Sequence, residues 1–429
     1  MNQRKTGLLV INGPLPPPYG GVATYLAHAL PFLAQQGFEV HTVIDRPPSL
    51  PGQYSEFEQA GVHLHYGSGT RLGKSWQIAR RFPLWMSTLQ ETSAGASTVL
   101  RALKSIATWL EVSERVIRDS PIDIIHAYDY PWAQGFVAAH LAKKYHKKYV
   151  QTIFGEVVPH KDELVRHDEL GERFKGFSRH VLSQSDLILS VSKHCAQEVA
   201  YVGLDPVRVK VTYYGVDTNR FHPDVDPQPI RSKFQLDGKR VVLFLGQVRS
   251  RKGPQVLLEA ARAIVQRVPN AVFLVVGPDY GIAGNLLARA KELGISTQFL
   301  LPGPQPEEIL PALFAACDVF AFPSCTPIEC LGLSMVQAMA CGKPVVGSNI
   351  NGVPEVIVDG VTGFLVAPNN PQALADKISV LLMDEGVRAS IGAAGHERAV
   401  EHFNREQLAQ HLLDLYRELV TPTSTDSDS

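Results

Sequence analysis

Apolar and polar positions follow two alternating patterns along this chain. Short runs of β-branched and other apolar residues are separated by segments with the length and periodicity of helices. This order of elements is typical of parallel sheets connected by crossover helices, so we predict an α/β protein. The predicted strands are 7–11, 39–44, 62–66, 122–127, 148–153, 186–191, 209–214, 240–246, 271–277, 297–303, 318–324, 343–348 and 363–367.

A segment rich in Pro and Asp and poor in apolar residues divides the strands into two groups. We therefore predict a first domain over 1–222, a linker over 223–239 and a second domain over 240–397. A last helix follows over 398–420, and the polar tail 421–429 is predicted to be disordered. A length of 429 residues also favours two domains over one.

Composition narrows the class of protein. Hydrophobic residues make up 45% of the chain and charged residues 19%, which predicts a globular protein with a large core. Lys and Arg number 41 against 42 Asp and Glu, and this balance argues against a nucleic-acid partner. The chain shows no secretory signal and no apolar run of about 18 residues, so we expect a cytoplasmic protein. The five cysteines form no CxxC pair and are interpreted as free thiols, with no metal site.

The turns that follow strands carry the candidate chemistry, because parallel sheets bind ligands at the carboxyl ends of their strands. Gly20 and Gly21 lie between the first strand and a helix. Arg249, Arg251 and Lys252 lie between the first strand of the second half and its helix. Cations at the start of a helix interact unfavourably with the helix dipole, and a bound anion compensates for this cost. This turn therefore predicts a phosphate ligand. A solvated basic loop is the alternative.

A second turn combines an acid with a helix start. Glu329 precedes a helix whose free backbone N–H groups run from Leu331 to Ser334, through Gly332 and Leu333. Such N–H groups predict an anion site. The neighbouring carboxylate would repel phosphate and suits hydroxyl groups instead. A ligand that has both groups is a nucleoside diphosphate sugar.

Gln337 is a lone amide on the same, otherwise apolar helix. It either reaches the ligand or is a core amide that bonds a neighbouring loop.

The chain resembles the retaining GT-B glycosyltransferases of glycosyltransferase family 4 over nearly its whole length. The motifs that carry the resemblance are YGGVATYLAHAL, LGQVRSRKGPQVLLEA and ACDVFAFPSCTPIECLGLSMVQAMACGKPVV, followed by GVPEVIVDGVTGFLV. The resemblance implies two Rossmann-like domains whose sheets face a cleft. It also implies transfer of a sugar from a nucleotide sugar to an acceptor hydroxyl, with retention, without metal and with no cofactor besides the donor.

The resemblance also implies roles for individual residues. Lys252 is expected on the donor diphosphate and Glu329 on the hydroxyls of the donor sugar. Gln337 is expected on the ribose, and Gly20 and Gly21 near the diphosphate and acceptor.

Further positions complete the expected site. Arg249 is expected to act with Lys252 and Glu329 in catalysis, and Gly303 is expected near the base. The helix start at Gly332, Leu333 and Ser334 is expected to bind the donor. His126, Tyr128 and Glu156 are candidate contacts for the donor sugar or the acceptor.

The sequence departs from the family pattern at four positions. Gln247 stands where an Arg is common, so Arg249 or Arg251 is expected to supply the missing charge. Gln337 stands where the family has Glu, and Tyr128 and Phe154 stand where it commonly has His. These changes keep a non-catalytic GT-B binding protein open as an alternative to an active enzyme.

The acceptor is indicated by one segment. Residues 68–118 interleave basic and aromatic residues, which favours an anionic membrane surface or a lipid-linked acceptor. We therefore expect a peripheral enzyme of cell-surface polysaccharide or glycolipid synthesis at the inner face of the plasma membrane. The alternatives are an ordinary amphipathic helix and a soluble transferase with a small acceptor.

Overall fold

The structure is a computed structural model. It describes residues 4–12, 21–44, 54–66, 96–128, 131–155, 157–158, 169–326 and 329–421. The chain forms two compact units. The first comprises Met1–Tyr213 with Leu408–Ser429, and the second comprises Tyr214–Gln407.

The described part of the first unit contains a parallel sheet of seven strands in the order β3-β2-β1-β4-β5-β6-β7. The strands are β1 (Gly7–Ile11), β2 (Glu39–Ile44), β3 (Val62–Tyr66), β4 (Ile122–Tyr128), β5 (Lys148–Ile153), β6 (Leu187–Ser190) and β7 (Val209–Val211). The helices are α1 (Gly21–Gln35), α2 (Ser55–Gln59), α3 (Ala96–Asp119), α4 (Phe136–Tyr145), α5 (Glu169–Ser183) and α6 (Lys193–Tyr201).

The second unit contains a six-stranded parallel sheet in the order β10-β9-β8-β11-β12-β13. The strands are β8 (Arg240–Leu245), β9 (Ala271–Val276), β10 (Phe299–Gly303), β11 (Val319–Phe322), β12 (Val345–Ser348) and β13 (Gly363–Val366). The helices are α7 (Gln228–Lys233), α8 (Pro254–Arg267), α9 (Ala283–Glu292), α10 (Leu310–Ala316), α11 (Leu333–Ala340), α12 (Val353–Val356), α13 (Pro371–Met383) and α14 (Glu385–His402). A last helix, α15 (Arg405–Val420), runs from the second unit into the first.

Each sheet reverses its direction of winding at one point. In the second unit the chain builds β8, β9 and β10 toward one edge and then returns to add β11 beside β8. The first unit does the same between β1 and β4. This order is that of the Rossmann fold, in which the crevice for ligands opens at the reversal point. The predicted α/β class with two Rossmann-like units is confirmed, and the predicted strands match the observed ones to within a few residues.

The cores follow from the strand sequences. The strands next to the reversal points are almost entirely apolar and buried, as is typical of parallel strands covered on both faces. In the second unit a continuous core joins Val242 and Phe273 of the sheet to Leu257 of α8 and Ile378 of α13. The reversal points therefore lie on rigid, well-packed sheets.

The segment 223–239, predicted as a linker, lies inside the second unit and contains α7. Ile230 is buried, and Arg231 donates hydrogen bonds to the carbonyl oxygens of Ala316 at 2.9 Å and Leu236 at 2.6 Å. The bond to Ala316 attaches the segment to α10.

The last predicted helix differs from the observed one. Residues 398–420 contain the end of α14 and then α15, because the helix breaks at Phe403 and Asn404. Phe403 is buried and its carbonyl accepts from the amide of Val216 at 2.8 Å. Asn404 caps α15 through its side-chain oxygen, which accepts from the amide of Glu406 at 3.0 Å.

The described part of α15 packs on the first unit through Tyr416. The Tyr416 ring is fully buried, and its hydroxyl bonds Nδ1 of His126 and lies 3.5 Å from the hydroxyl of Tyr128. The Phe38 ring lies 5.9 Å away between centroids. One side chain therefore connects the end of the chain to β4.

We predict that Tyr416→Ala lowers the free energy of unfolding by about 3–5 kcal/mol, because it opens a cavity and leaves Nδ1 of the buried His126 without its partner. Tyr416→Phe keeps the ring and should cost about 1–3 kcal/mol. Urea unfolding followed by circular dichroism measures both. The control is Arg417→Ala on the exposed side of the same helix, with an expected change within about 0.5 kcal/mol. Equal midpoints for Tyr416→Ala and the control would contradict the assignment.

Candidate functional site

Two turns meet at the reversal point of the second sheet. One follows β8 and the other follows β11. The Arg251 carbonyl accepts from the amide of Cys325 at 2.9 Å. Gly253 approaches so closely that an added Cβ would lie 1.9 Å from the carbonyl oxygen of Pro323, and its φ is +75°. Glycine is the residue that fits both conditions, so it fixes the distance between the two turns.

These turns bring Lys252 and Glu329 together. Nζ of Lys252 lies 2.6 Å from Oε2 of Glu329, and the two side chains are only 19% and 10% exposed. The Ser324 hydroxyl donates to the same oxygen at 2.9 Å. The Lys252 ammonium also lies 5.6 Å from the centroid of the Phe322 ring. Among the described residues, none bonds the other carboxylate oxygen, Oε1 of Glu329.

Gly332 is the N-cap residue of helix α11. Its φ is +87°, and an added Cβ would lie 2.6 Å from Cε of Met335 and 2.9 Å from the ring of Phe322. Its amide, predicted to be open to an anion, instead donates to the hydroxyl of Tyr214 at 3.2 Å. That part of the predicted anion site is therefore already occupied.

Leu333 and Ser334 are the first residues of α11. Their amides hydrogen-bond no residue that the structure describes. The open helix start is therefore contributed by these two residues.

Gln337 lies on α11 one turn after Ser334 and is half-buried. In the described parts of the chain its side-chain amide makes no hydrogen bond. The described residues therefore give no support to the alternative that Gln337 is a core amide bonded to a neighbouring loop.

Arg249 and Gln247 form a second group on the turn after β8. The Arg249 guanidinium donates to Oε1 of Gln247 at 3.3 Å and lies 5.0 Å from the centroid of the Tyr280 ring. Nε2 of Gln247 donates to the Tyr280 hydroxyl at 3.3 Å. Tyr280 is 53% exposed. The contacts with Gln247 and Tyr280 keep the Arg249 charge beside the turn that carries Lys252.

Gly303 and Arg251 also lie at the carboxyl ends of strands in the second sheet. Gly303 ends β10 with φ +78°, and its carbonyl accepts from the amide of Gly277 at 3.2 Å. β10 is two strands away from β8 in the sheet. Arg251 shares a 3₁₀ turn with Lys252.

Two family models match the chain. The model described as Glycosyltransferase Family 4 matches residues 19–220, and the one described as Glycosyl transferases group 1 matches residues 227–398. The D-inositol 3-phosphate glycosyltransferase of Corynebacterium urealyticum is 30% identical over 320 residues, which is 70% of this chain and 72% of that protein. This protein belongs to glycosyltransferase family 4.

Two further proteins show how far the similarity extends. The D-inositol 3-phosphate glycosyltransferase of Rhodococcus jostii is 34% identical over 250 residues, 56% of this chain, and the match spans only about half of that relative, 54%. The structure of Alr3699/HepE from Anabaena in complex with UDP-glucose superposes with a TM-score of 0.73 at 20% identity, covering 96% of this chain and 99% of that one. The GT-B type of fold expected for the two units is thus confirmed.

At the reversal point of its own sheet, the first unit of this glycosyltransferase has buried aromatic side chains instead of a charged pair. His126 and Tyr128 end β4, and both side chains are fully buried. Nε2 of His126 lies 2.7 Å from the hydroxyl of Thr152, and the His126 and Tyr128 rings stack at 3.9 Å. Burial lowers the pKa of His126 well below its usual value, so it is neutral at pH 7. Burial on this scale argues against direct contact with a sugar.

The remaining predicted residues of the first unit are only partly described. Gly21 starts α1 in the connection that follows β1. Gly20 and Glu156 lie outside the described residues. The basic and aromatic cluster at the start of 68–118 also lies outside them. Within the described residues, no helix of this glycosyltransferase has the length and apolar content to cross a membrane.

Sequence reasoning missed three residues of the site. Ser324, Phe322 and Tyr214 hold Glu329, Lys252 and Gly332 in place. Ser324 follows the end of β11, and that position is the one signal in the sequence that points to it. Tyr214 comes from the far end of the first group of predicted strands, so its contact is visible only in the fold.

We predict that Gly253→Ala lowers the free energy of unfolding by roughly 2–4 kcal/mol, because its methyl group meets the Pro323 carbonyl and its backbone is left-handed. The matched control is Gly284→Ala in α9, where an added Cβ meets nothing within 4 Å. That variant should be neutral or slightly more stable. Thermal unfolding of both proteins measures the difference. Identical melting temperatures would disprove the close approach.

Proposed function

We propose that this protein is a retaining, metal-independent glycosyltransferase that moves a sugar from a nucleotide-sugar donor to an acceptor hydroxyl. The observation that carries the proposal is the Lys252–Glu329 pair at the reversal point of the second sheet, 2.6 Å between Nζ and Oε2. The pair combines a cation for phosphate and a carboxylate for hydroxyl groups. An open helix start follows it in the chain.

The diphosphate of the donor binds at Lys252 and at the amides of Leu333 and Ser334. Lys252 exchanges its contact with Glu329 for a contact with phosphate as the donor enters. Arg249 adds charge from the same turn, since Tyr280 holds its guanidinium there. Together these groups stabilise the negative charge that grows on the diphosphate as it leaves.

Glu329 binds the hydroxyls of the donor sugar. Ser324 keeps its hydrogen bond to Oε2, which holds the carboxylate in one orientation. Oε1 then accepts from the sugar hydroxyls with the strength of a charge-assisted hydrogen bond.

The transfer itself breaks the bond between the anomeric carbon and the diphosphate oxygen. The acceptor oxygen forms the new bond on the same face of the sugar. The departing diphosphate oxygen takes the acceptor proton, so the step requires no side-chain base. This mechanism fits Tyr128 and Phe154 standing where the family commonly has His, because neither is needed as a base.

The donor class is supported by relatives. Alr3699/HepE was determined with UDP-glucose, which has the diphosphate and the hydroxyls that this site would bind. This likeness supports a nucleoside diphosphate sugar as the donor.

Two acceptor classes are in competition. The basic and aromatic pattern within 68–118 favours a lipid-linked acceptor at an anionic membrane surface, for polysaccharide or glycolipid synthesis. The two relatives named D-inositol 3-phosphate glycosyltransferases favour a small phosphorylated acceptor instead.

A donor screen tests the function. Purified protein is heated with a panel of nucleotide sugars, and the true donor raises the melting temperature by mass action. Transfer from that donor is then measured with D-inositol 3-phosphate and with a lipid-linked sugar in anionic vesicles. The anomeric configuration of the product is read by NMR. Inverted products would refute retention, and stabilisation without transfer to any acceptor would favour a binding protein.

We predict that Lys252→Ala lowers kcat about 10²-fold or more, because it removes a cation from the developing diphosphate charge. The control is Lys239→Ala, which removes an exposed lysine of the same unit and should leave turnover unchanged. Circular dichroism confirms that both variants fold. Near-normal turnover in folded Lys252→Ala would move the phosphate role to Arg249 or Arg251.

Gln337 is tested with a pair of substitutions. If it binds the ribose, Gln337→Glu should keep or tighten donor binding, because charge-assisted bonds to hydroxyls are about twice as strong. Gln337→Leu should raise the donor KM by losing bonds worth about 1 kcal/mol or more. Donor KM and melting temperature are measured for both. A Glu variant that melts much earlier, with normal donor binding by the Leu variant, would defeat the ribose assignment.

A further inference from the structure

Three histidines and a glutamate share one face of the first sheet, at its edge. Glu39 and His41 are two residues apart on β2, and His63 and His65 are two residues apart on β3. The two strands pair in parallel with His41 opposite His63. Side chains two apart on a strand point to the same face, so the register brings all four together.

The four side chains are in direct contact. Nε2 of His41 lies 3.2 Å from Oε1 of Glu39, and Nδ1 of His41 lies 3.0 Å from Nε2 of His65. The rings of His41 and His63 stack at 4.7 Å between centroids. One ligand atom each from Glu39, His41 and His63 can be chosen so that all three lie within 4.8 Å of one another.

We propose that Glu39, His41 and His63 bind a divalent transition-metal ion, with Zn²⁺ the best fit. Imidazole and carboxylate are ligands that Zn²⁺ takes at about 2.0–2.2 Å. Two such ligands on a tetrahedral ion lie roughly 3.3 Å apart, and the Glu39 and His41 atoms are already separated by 3.2 Å. His63 is exposed, so the fourth position opens to water.

His65 has a supporting part in this site. With the proton on Nδ1, His41 donates to Nε2 of His65 and presents the lone pair of Nε2 beside Glu39. Ligating histidines commonly donate their second N–H in this manner, which fixes the tautomer and the ring. His41 itself is buried, so its orientation is set before any ion binds.

The charge of the cluster favours a cation, because the Glu39 carboxylate lies 3.2 Å from Nε2 of His41. The Arg115 charge on α3 acts on His65 and opposes a cation, and the Glu39 carboxylate offsets it.

The site lies apart from the proposed reaction. It is in the first unit, toward the amino ends of β2 and β3, whereas parallel sheets bind their substrates at the carboxyl ends. A bound ion would link β2 to the edge strand β3 and hold that edge in place.

The experiment uses the full chain made metal-free with EDTA and then freed of chelator. Zn²⁺ is titrated calorimetrically, and Co²⁺ is titrated by visible absorption, which reports ordered ligation. His63→Ala removes an exposed ligand, and Glu39→Gln removes the carboxylate. The control is His411→Ala, which removes an exposed histidine of α15 and reports any zinc bound by histidines outside the cluster.

The wild-type chain and the control should bind one Zn²⁺ with the same affinity and raise their melting temperature when it is added. Each ligand variant should weaken binding at least tenfold and lose the cobalt absorption. Zinc binding by His63→Ala equal to the wild type, or no binding above background by the wild type, would overturn the proposal and leave the histidines as a packed edge of the sheet.

Discussion

The pairing of β8 with β11 determines what the second unit brings together. Val242 lies opposite Val319, and Leu243 lies opposite Phe320, although β9 and β10 intervene in the sequence. The two connections that leave these strands start at adjacent points and lead to different helices. Lys252 and Glu329, 77 residues apart, can meet only because of that pairing. Gly253 then fixes the distance between the two turns, since no side chain fits between it and the Pro323 carbonyl oxygen.

The Lys252–Glu329 pair is poorly explained by stability alone. Moving two charges to positions that are 19% and 10% exposed is costly, and apolar residues of similar size often stabilise a protein as well or better. The pair is also held by groups that orient it, the Ser324 hydroxyl and the Phe322 ring. A fixed orientation of this kind is useful when a charged ligand binds and the two side chains of the ion pair separate. This oriented arrangement therefore supports the proposed binding of a diphosphate.

The sequence predicts the strands well and the contacts between distant segments poorly. Alternating apolar runs and turn residues are local signals, so even β7 and β13 could be found from them. The break at Phe403 and Asn404 could not, because it arises when Val216 pairs with a segment almost two hundred residues away. The same holds for the hydrogen bond that Tyr214 accepts from Gly332. Lys252 and Glu329 could be singled out because each lies beside a helix start, whereas Ser324 is indicated only by its position after the end of β11.

The first six strands of each sheet follow the same order, but different side chains lie at the two reversal points. In the second, the charged pair lies beside an open helix start. In the first, rings pack together: Tyr25 lies 5.9 Å from Tyr128 and 5.8 Å from Phe154, and His126 and Tyr416 complete the cluster. Aromatic rings bury a large apolar surface and prefer tilted or edge-to-face packing. They therefore join α1, the end of β4 and the residue after β5 in one apolar cluster, which Tyr416 extends to the terminal helix.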